Sequence, residues 1–395
     1  MALGLTFRVG GRDDPAGQGG IAHMIEHMVF KGSAERDAVA INIAAESHGA
    51  ELNAFTDKES TCFYGRFPGD QTQPVTRLLT EIVSGPAFRD NELEKEKQVI
   101  GEEIRTADED PDSRATTLVF ESLYGDTPMG RPIAGRIESV NALTAAQLRE
   151  RYRSSYGPAC GVAAAAGDVE HEQMVNTLAT LLDRHDACRP VDRRRPEMLP
   201  ARVRVETRKD LSQVYVCLAQ PAFPYPDPRR HSLSVLNTAL GGGMSSRLFQ
   251  RLREREALVY SVVSFAELYA DSGLLGIYFV TDYRKLSRCI EVIREELVRL
   301  RRDRLTPEEF ERARNMTKSS ALLALESPSS RMLRLARTYQ LLGRVVSVDE
   351  TVAAFNRLNG DEVARLIDEL PEDGFRHAGA VGPLTEAELG SMLAV

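Results

Sequence analysis

Two histidines and a glutamate near the amino end carry the most specific chemical signal in the chain, in the run His23-Met24-Ile25-Glu26-His27. On a helix, residues four apart stand one above the other, and Glu26, three after His23, shares their face. Neutral imidazole is the commonest metal ligand. Two histidines and a carboxylate, with a fourth position left for water, form the usual layout of a catalytic zinc site. The order H-x-x-E-H inverts the better-known H-E-x-x-H. Histidine is scarce, seven in 395 residues, so composition does not account for the spacing. The plain alternative is a solvated helix that happens to carry two histidines. Gly19 and Gly20 open the helix, Ile21, Met24, Ile25, Met28 and Val29 give it an apolar side, and Gly32 after Lys31 is its expected stop.

The third ligand must come from another element. Residues 91–106 read as a helix whose apolar arc is set by Leu93, Val99, Ile100 and Ile104. Glu96 and Glu103 fall inside that arc, whereas Glu102 points away. A carboxylate is rarely placed on a buried face without a cation or donor, which makes Glu103 the better third ligand. For Glu96 an ordinary solvated helix charge stays open.

The run GGIAHMIEHMVFKGS resembles the M16 family of zinc metallopeptidases, and the length resembles its small-subunit branch, M16B. The resemblance implies one Zn²⁺ per chain on His23, His27 and Glu103, the last sitting in VIGEE where the family has VIxxE. It implies that Glu26 is the general base and that Glu96, seven before the ligand, fixes and polarises a ligand histidine. LNAFT, with Asn53, Ala54, Phe55 and Thr56, would be the edge strand on which an extended peptide lies near its scissile bond. Such main-chain pairing selects weakly among side chains. From the residues alone, 50–56 and 61–67 are a surface hairpin. An Arg and a Tyr seven apart, which in the family reach the zinc from the second half, fall on Arg253 and Tyr260. Without the family these are an exposed helical arginine and a packed tyrosine. The resemblance also implies a homodimer, or a heterodimer with another M16 subunit, acting as a zinc endopeptidase on peptides. A further strand before residue 3 is expected of the family, and without it one sheet edge is left open.

Composition narrows the class. Hydrophobic residues at 42% and charged residues at 27% describe a globular chain long enough for about two domains. A net charge of −8 argues against nucleic acid and suits basic peptides. Arg193, Arg194 and Arg195 lie among prolines and read as a solvated linker. No apolar run approaches the roughly 20 residues that span a bilayer, and the first residues lack the features of a signal peptide. Cys62, Cys160, Cys188, Cys217 and Cys289 are odd in number and scattered without a CxxC pair. They read as reduced thiols of a cytoplasmic protein.

The elements repeat. Short strands at 3–9, 50–56, 61–67 and 160–166 alternate with helices at 37–47, 72–83, 114–124, 144–152 and 170–182, the chain breaking at Pro111. EDPDSR at 109–114 returns as ESPSSR at 326–331. VNALTAAQL returns as FNRLNGDEV, and AAAAG ending at Gly167 returns as AGAVG ending at Gly382. These offsets of 215–217 predict two tandem homologous α+β domains, 1–183 and 201–395, joined by a linker at 184–200. Each is expected to be a mostly antiparallel sheet with helices on one face, and the resemblance adds that the two enclose a cavity. Ser320 stands where Glu103 would be in the second copy, so only the first can hold the metal this way.

Overall fold

In a computed structural model that describes residues 1–182, 188, 191–370 and 374–395, both halves of the chain follow one plan. The first runs β1 (Ala2–Phe7), α1 (Ile21–Val29), α2 (Ala38–Ser47), β2 (Glu51–Thr56), β3 (Thr61–Arg66), α3 (Thr72–Ser84), α4 (Asp90–Glu109), α5 (Pro111–Tyr124), α6 (Ile137–Asn141), α7 (Ala145–Ser155), β4 (Gly161–Ala166) and α8 (His171–Leu182). The second runs β5 (Val203–Thr207), β6 (Gln213–Ala222), α9 (Arg230–Gly241), β7 (Val259–Leu268), β8 (Gly273–Asp282), α10 (Leu286–Asp303), α11 (Pro307–Leu323), α12 (Pro328–Leu342), α13 (Val348–Arg357), α14 (Gly360–Asp368), β9 (His377–Gly382) and α15 (Glu386–Leu393).

These elements form two compact units, but the single cut expected at 184–200 is not where they divide. One unit holds Met1–Thr106, Arg131–Arg194 and Ala324–Val346; the other holds Ala107–Gly130, Arg195–Leu323 and Ser347–Val395. Each unit therefore takes one helix from the opposite half, α12 in the first and α5 in the second. Of the expected linker, 184–187 and 189–190 lie outside the described residues.

The sheet of the first unit has the order β2-β3-β1-β4 and is antiparallel throughout. In the second, the order is β5-β9-β6-β8-β7, with only the β5–β9 pair parallel. No strand among the described residues lies beyond β4, so β2 and β4 are the two edges of the first sheet.

Strand periodicity explains the layers. Leu3, Leu5 and Phe7 of β1 join Phe63 in the core beneath α1 and α3. On the opposite face Ala2, Ala164 and Ala166 pack under Met332 and Ala336 of α12. The second unit repeats this arrangement. Val216, Leu218, Ala378 and Ala380 face the core shared with α9 and α10, while Cys217, Ala219 and Val381 face Ala115, Leu118 and Val119 of α5. Helices thus cluster on one face of each sheet, and the borrowed helix covers the other. This is why β1 and β9 are buried at every position. The fit on β9 is close: a Cβ at Gly379 would stand 2.3 Å from the Ala115 carbonyl oxygen.

The two borrowed helices are the duplicated motif itself. Asp110 and Ser327 cap them by accepting from the amides of Ser113 and Ser330, and each has its proline in the first turn. Pro111 therefore opens a helix three residues before the expected start at Arg114, because a first-turn proline lacks only an N–H that the helix would leave unbonded.

Two expectations about the chain's middle are overturned. Arg193 is not solvated: its side chain is 7% exposed and pairs with Asp13 at 2.6 Å, while donating to the backbone oxygen of Glu59. Cys160 and Cys188 are not free thiols but form a disulfide across a separation of 28 residues, leaving Cys62, Cys217 and Cys289 as buried thiols. Chain-entropy closure of a loop of that length contributes about 3–4 kcal/mol. Cys188→Ser, or a reductant, is accordingly expected to lower stability by that order in a denaturant titration. Peptide mapping without reduction should recover the linked pair, and an unmoved midpoint would show that the bridge does not support the fold.

Candidate metal centre

Helix α1 is only nine residues long, with Ile21, Met24, Ile25 and Met28 buried on its inner side. His23, Glu26 and His27 lie on the side left over, next to β2. The N-cap, Gly20, sits at φ 91°, a left-handed conformation that favours glycine. It offers the helix no side chain. The cap comes instead from Asp14, whose two carboxylate oxygens accept from the Gly20 amide at 2.7 Å and the Ala22 amide at 3.2 Å. Burial pushes the Asp14 carboxyl up to about 7, against the pull of the two amides and Arg151.

Helix α4 faces α1 with Leu93, Glu96, Lys97, Ile100, Gly101 and Ile104 buried. Val99, expected in the apolar arc, is exposed instead. Counting about 100° per residue, it falls roughly 120° from the centre set by Leu93, Ile100 and Ile104. Glu103 lies about 80° from that centre, at the edge of the arc, and its side chain is 46% exposed. Glu102 points outward and pairs with Arg105.

Three donor atoms converge. Glu103 Oε2 stands 3.8 Å from His23 Nε2 and 3.6 Å from His27 Nε2, and the ligand atoms of this trio all lie within 4.8 Å of one another. Those distances are too long for hydrogen bonds. They approach the ~3.3–3.6 Å between two ligands that each bind a tetrahedral zinc at its usual bond length. The residues present therefore fit a zinc ion.

Around the trio, the charges suit metal binding. His27 Nδ1 meets Glu96 Oε2 at 3.0 Å, and Lys31 Nζ meets the other Glu96 oxygen at 2.7 Å. Glu96 is 3% exposed. Burial would raise its pKa, but His27 and Lys31 outweigh burial and hold it down. Burial would lower His27, yet Glu96, Glu103 and Glu26 leave it raised. His23 has no such carboxylate on Nδ1, which is buried and unbonded. Burial, then the neighbouring His27, lower its pKa to about 4, so it is a neutral donor at pH 7. Glu26 is raised, mainly by burial, with Thr56 beside it opposing the rise. Neither Glu26 Oε2 nor the Thr56 hydroxyl makes a well-aligned hydrogen bond.

Asn53, Ala54, Phe55 and Thr56 all lie on the edge strand β2, which pairs on one side only, with β3. Arg253 and Tyr260 belong to the second unit and come together there. The guanidinium sits 5.3 Å from the Tyr260 ring centre and 4.9 Å from that of Phe249. Arg253 lies on a π-helical turn, Phe249–Arg255. Tyr260 is 79% exposed, at a register shift of β7. Lys31 and Asp14 were not singled out from sequence. Lys31 had a signal, since it lies four residues past His27, just beyond the end of α1; Asp14 had none local to α1.

Comparison with known proteins agrees with this architecture. The description "Insulinase (Peptidase family M16)" matches residues 1–136, and "Peptidase M16 inactive domain" matches residues 142–317. An uncharacterized zinc protease of Streptomyces coelicolor is 34% identical over 369 residues, covering 91% of this chain and 80% of its own length. The crystal structure of a peptidase M16 inactive domain from Pseudomonas fluorescens superposes with a TM-score of 0.89 at 21% identity, over 97% of this chain and 92% of that one. A chain of Complex III2 from Candida albicans gives 0.85 at 18% identity, over 99% and 94%; these last two are likenesses of fold. Within the described residues no helix is long and apolar enough to cross a membrane. Through its sequence match to both halves of the family and its close kinship with a zinc protease, the chain belongs to peptidase family M16.

Proposed function

We propose that this chain is a zinc endopeptidase that cleaves extended peptides. The observation that carries the reading is the convergence of His23, His27 and Glu103, with the half-buried Glu26 carboxyl on the same face of α1. Zinc would be held there by His23, His27 and Glu103, one ion per chain, and would supply a Lewis acid for the scissile carbonyl and for the attacking water. Glu26 would be the general base and acid, taking a proton from the attacking water and delivering it to the leaving amine; burial raises its carboxyl. Glu96 holds the Nδ1 proton of His27 and so aims Nε2 at the metal.

The peptide lies along Asn53, Ala54, Phe55 and Thr56, bonded through its backbone to the free edge of β2. Arg253 and Tyr260 supply donors to the peptide backbone or to the developing oxyanion. Because the zinc cluster and this pair occur in one chain, the reading favours a self-sufficient homodimer over a subunit that needs a different M16 partner. A quenched-peptide assay on the purified chain, run with size exclusion, decides between them. Trimming of a leader from a biosynthetic precursor is one form of the activity; the cytoplasmic setting, read from cysteines taken as reduced, loses that support with the Cys160–Cys188 disulfide.

Glu103→Ala is expected to lose bound zinc, measured by elemental analysis, while Glu102→Ala keeps it; equal loss in both would overturn the ligand assignment. Glu26→Gln should retain zinc and peptide binding but lose about 10²–10⁴-fold in kcat. Activity within a few-fold of wild type would mean that another group accepts the proton. Arg253→Ala and Tyr260→Phe should each lower kcat/KM at least about tenfold, roughly 1.4 kcal/mol, with zinc content unchanged. Wild-type kinetics in both would point to a partner chain completing the site.

A further inference from the structure

We infer that Asp14 is a positioning residue for the metal helix, holding His23 in register through the backbone of α1; the inference rests on the zinc reading above. Zinc-binding histidines are ordinarily oriented by a hydrogen bond to the second ring nitrogen. His27 has one, from Glu96, but His23 Nδ1 is buried with no partner. Its aim must therefore be set by the backbone that carries it. His23 is the third residue of a nine-residue helix, within the turn whose amides lack intrahelical partners and fray most readily.

What holds that turn is Asp14, 7% exposed, bonded by both oxygens to the Gly20 and Ala22 amides. Its own position is fixed from outside the helix. The amides of Gly11 and Arg12 donate to the carbonyls of Asp57 and Lys58 in the β2–β3 turn, and the Arg12 guanidinium pairs with Glu59 at 2.6 Å. Arg193 clamps the adjacent Asp13, and Ser139 donates to the Gly19 carbonyl at 2.8 Å. Asp14 thereby ties the first metal ligand to the hairpin that carries the proposed substrate strand.

The test uses the full chain at pH 8, where Asp14 is ionised and both oxygens accept. Zinc affinity is read by chelator competition, and hydrogen exchange of peptides covering 15–30 is read on the metal-free protein. Asp14→Ala should weaken zinc about 10–100-fold, as loss of a ligand-orienting partner does, and speed exchange in α1 about tenfold. Asp14→Asn, which fills the same space and keeps one acceptor oxygen, should fall between and decides the matter if the alanine variant does not fold. Thr144→Ala removes the cap of α7 in the same unit. It should lower the melting temperature while leaving zinc affinity and α1 exchange unchanged. Zinc affinity and exchange within twofold of wild type in the Asp14 variants would overturn the inference, as would an equal zinc loss in Thr144→Ala. If wild type binds no zinc, the metal reading fails on its own, and α1 exchange still decides whether Asp14 holds the helix.

Discussion

The metal centre depends on a fixed register between α1 and α4, and the buried carboxylate of Glu96 sets it. One face of α4 meets His27 from two sides: Glu96 takes Nδ1, and Glu103, two turns on, stands opposite Nε2. A carboxylate buried to this degree would be costly alone, but Lys31 and His27 occupy both of its oxygens. Sliding either helix by one residue would leave Glu96 buried without partners and would carry Glu103 away from the imidazoles. The same interaction that keeps the two helices aligned therefore keeps the ligands aligned.

What the sequence revealed divides by distance along the chain. His23, Glu26 and His27 were legible because helical periodicity puts them on one face, and Glu103 was preferred to Glu102 for the same reason. That argument erred at Val99, since including it turned the centre of the arc away from its true line. Glu103 is half-exposed because it lies at the arc's edge. The duplication was legible as well, down to the paired caps at Asp110 and Ser327. Contacts between distant segments were not: nothing near Cys160 signals Cys188, nothing near Arg193 signals Asp13, and nothing in α1 signals Asp14. Each of these is a partner that the fold supplies and periodicity cannot.

The two copies share a scaffold but differ at the positions of the candidate metal trio. Ser320 lies on α11 where Glu103 lies on α4, and among the described residues the second unit has no counterpart to the trio. Its departures from regularity lie elsewhere. A π-helical turn presents Arg253, and a register shift in β7 presents Tyr260. Irregularities of both kinds recur where a side chain has to be aimed rather than packed. Tyr260 is left exposed, with the Arg253 guanidinium over its ring, instead of being packed into the core.

The exchange of α5 and α12 has a consequence for how this chain came about and how it can be altered. The backbone passes from one unit to the other five times, after residues 106, 130, 194, 323 and 346, so the segment between the halves is one connection of several. A gene split after residue 194 would encode two fragments, each lacking the helix that covers one face of its own sheet. They could complete themselves only by trading helices, as two copies of a domain-swapped dimer do. A chain built by fusing such a dimer could not discard its second half, because α12 from that half covers β1 and β4 of the first sheet.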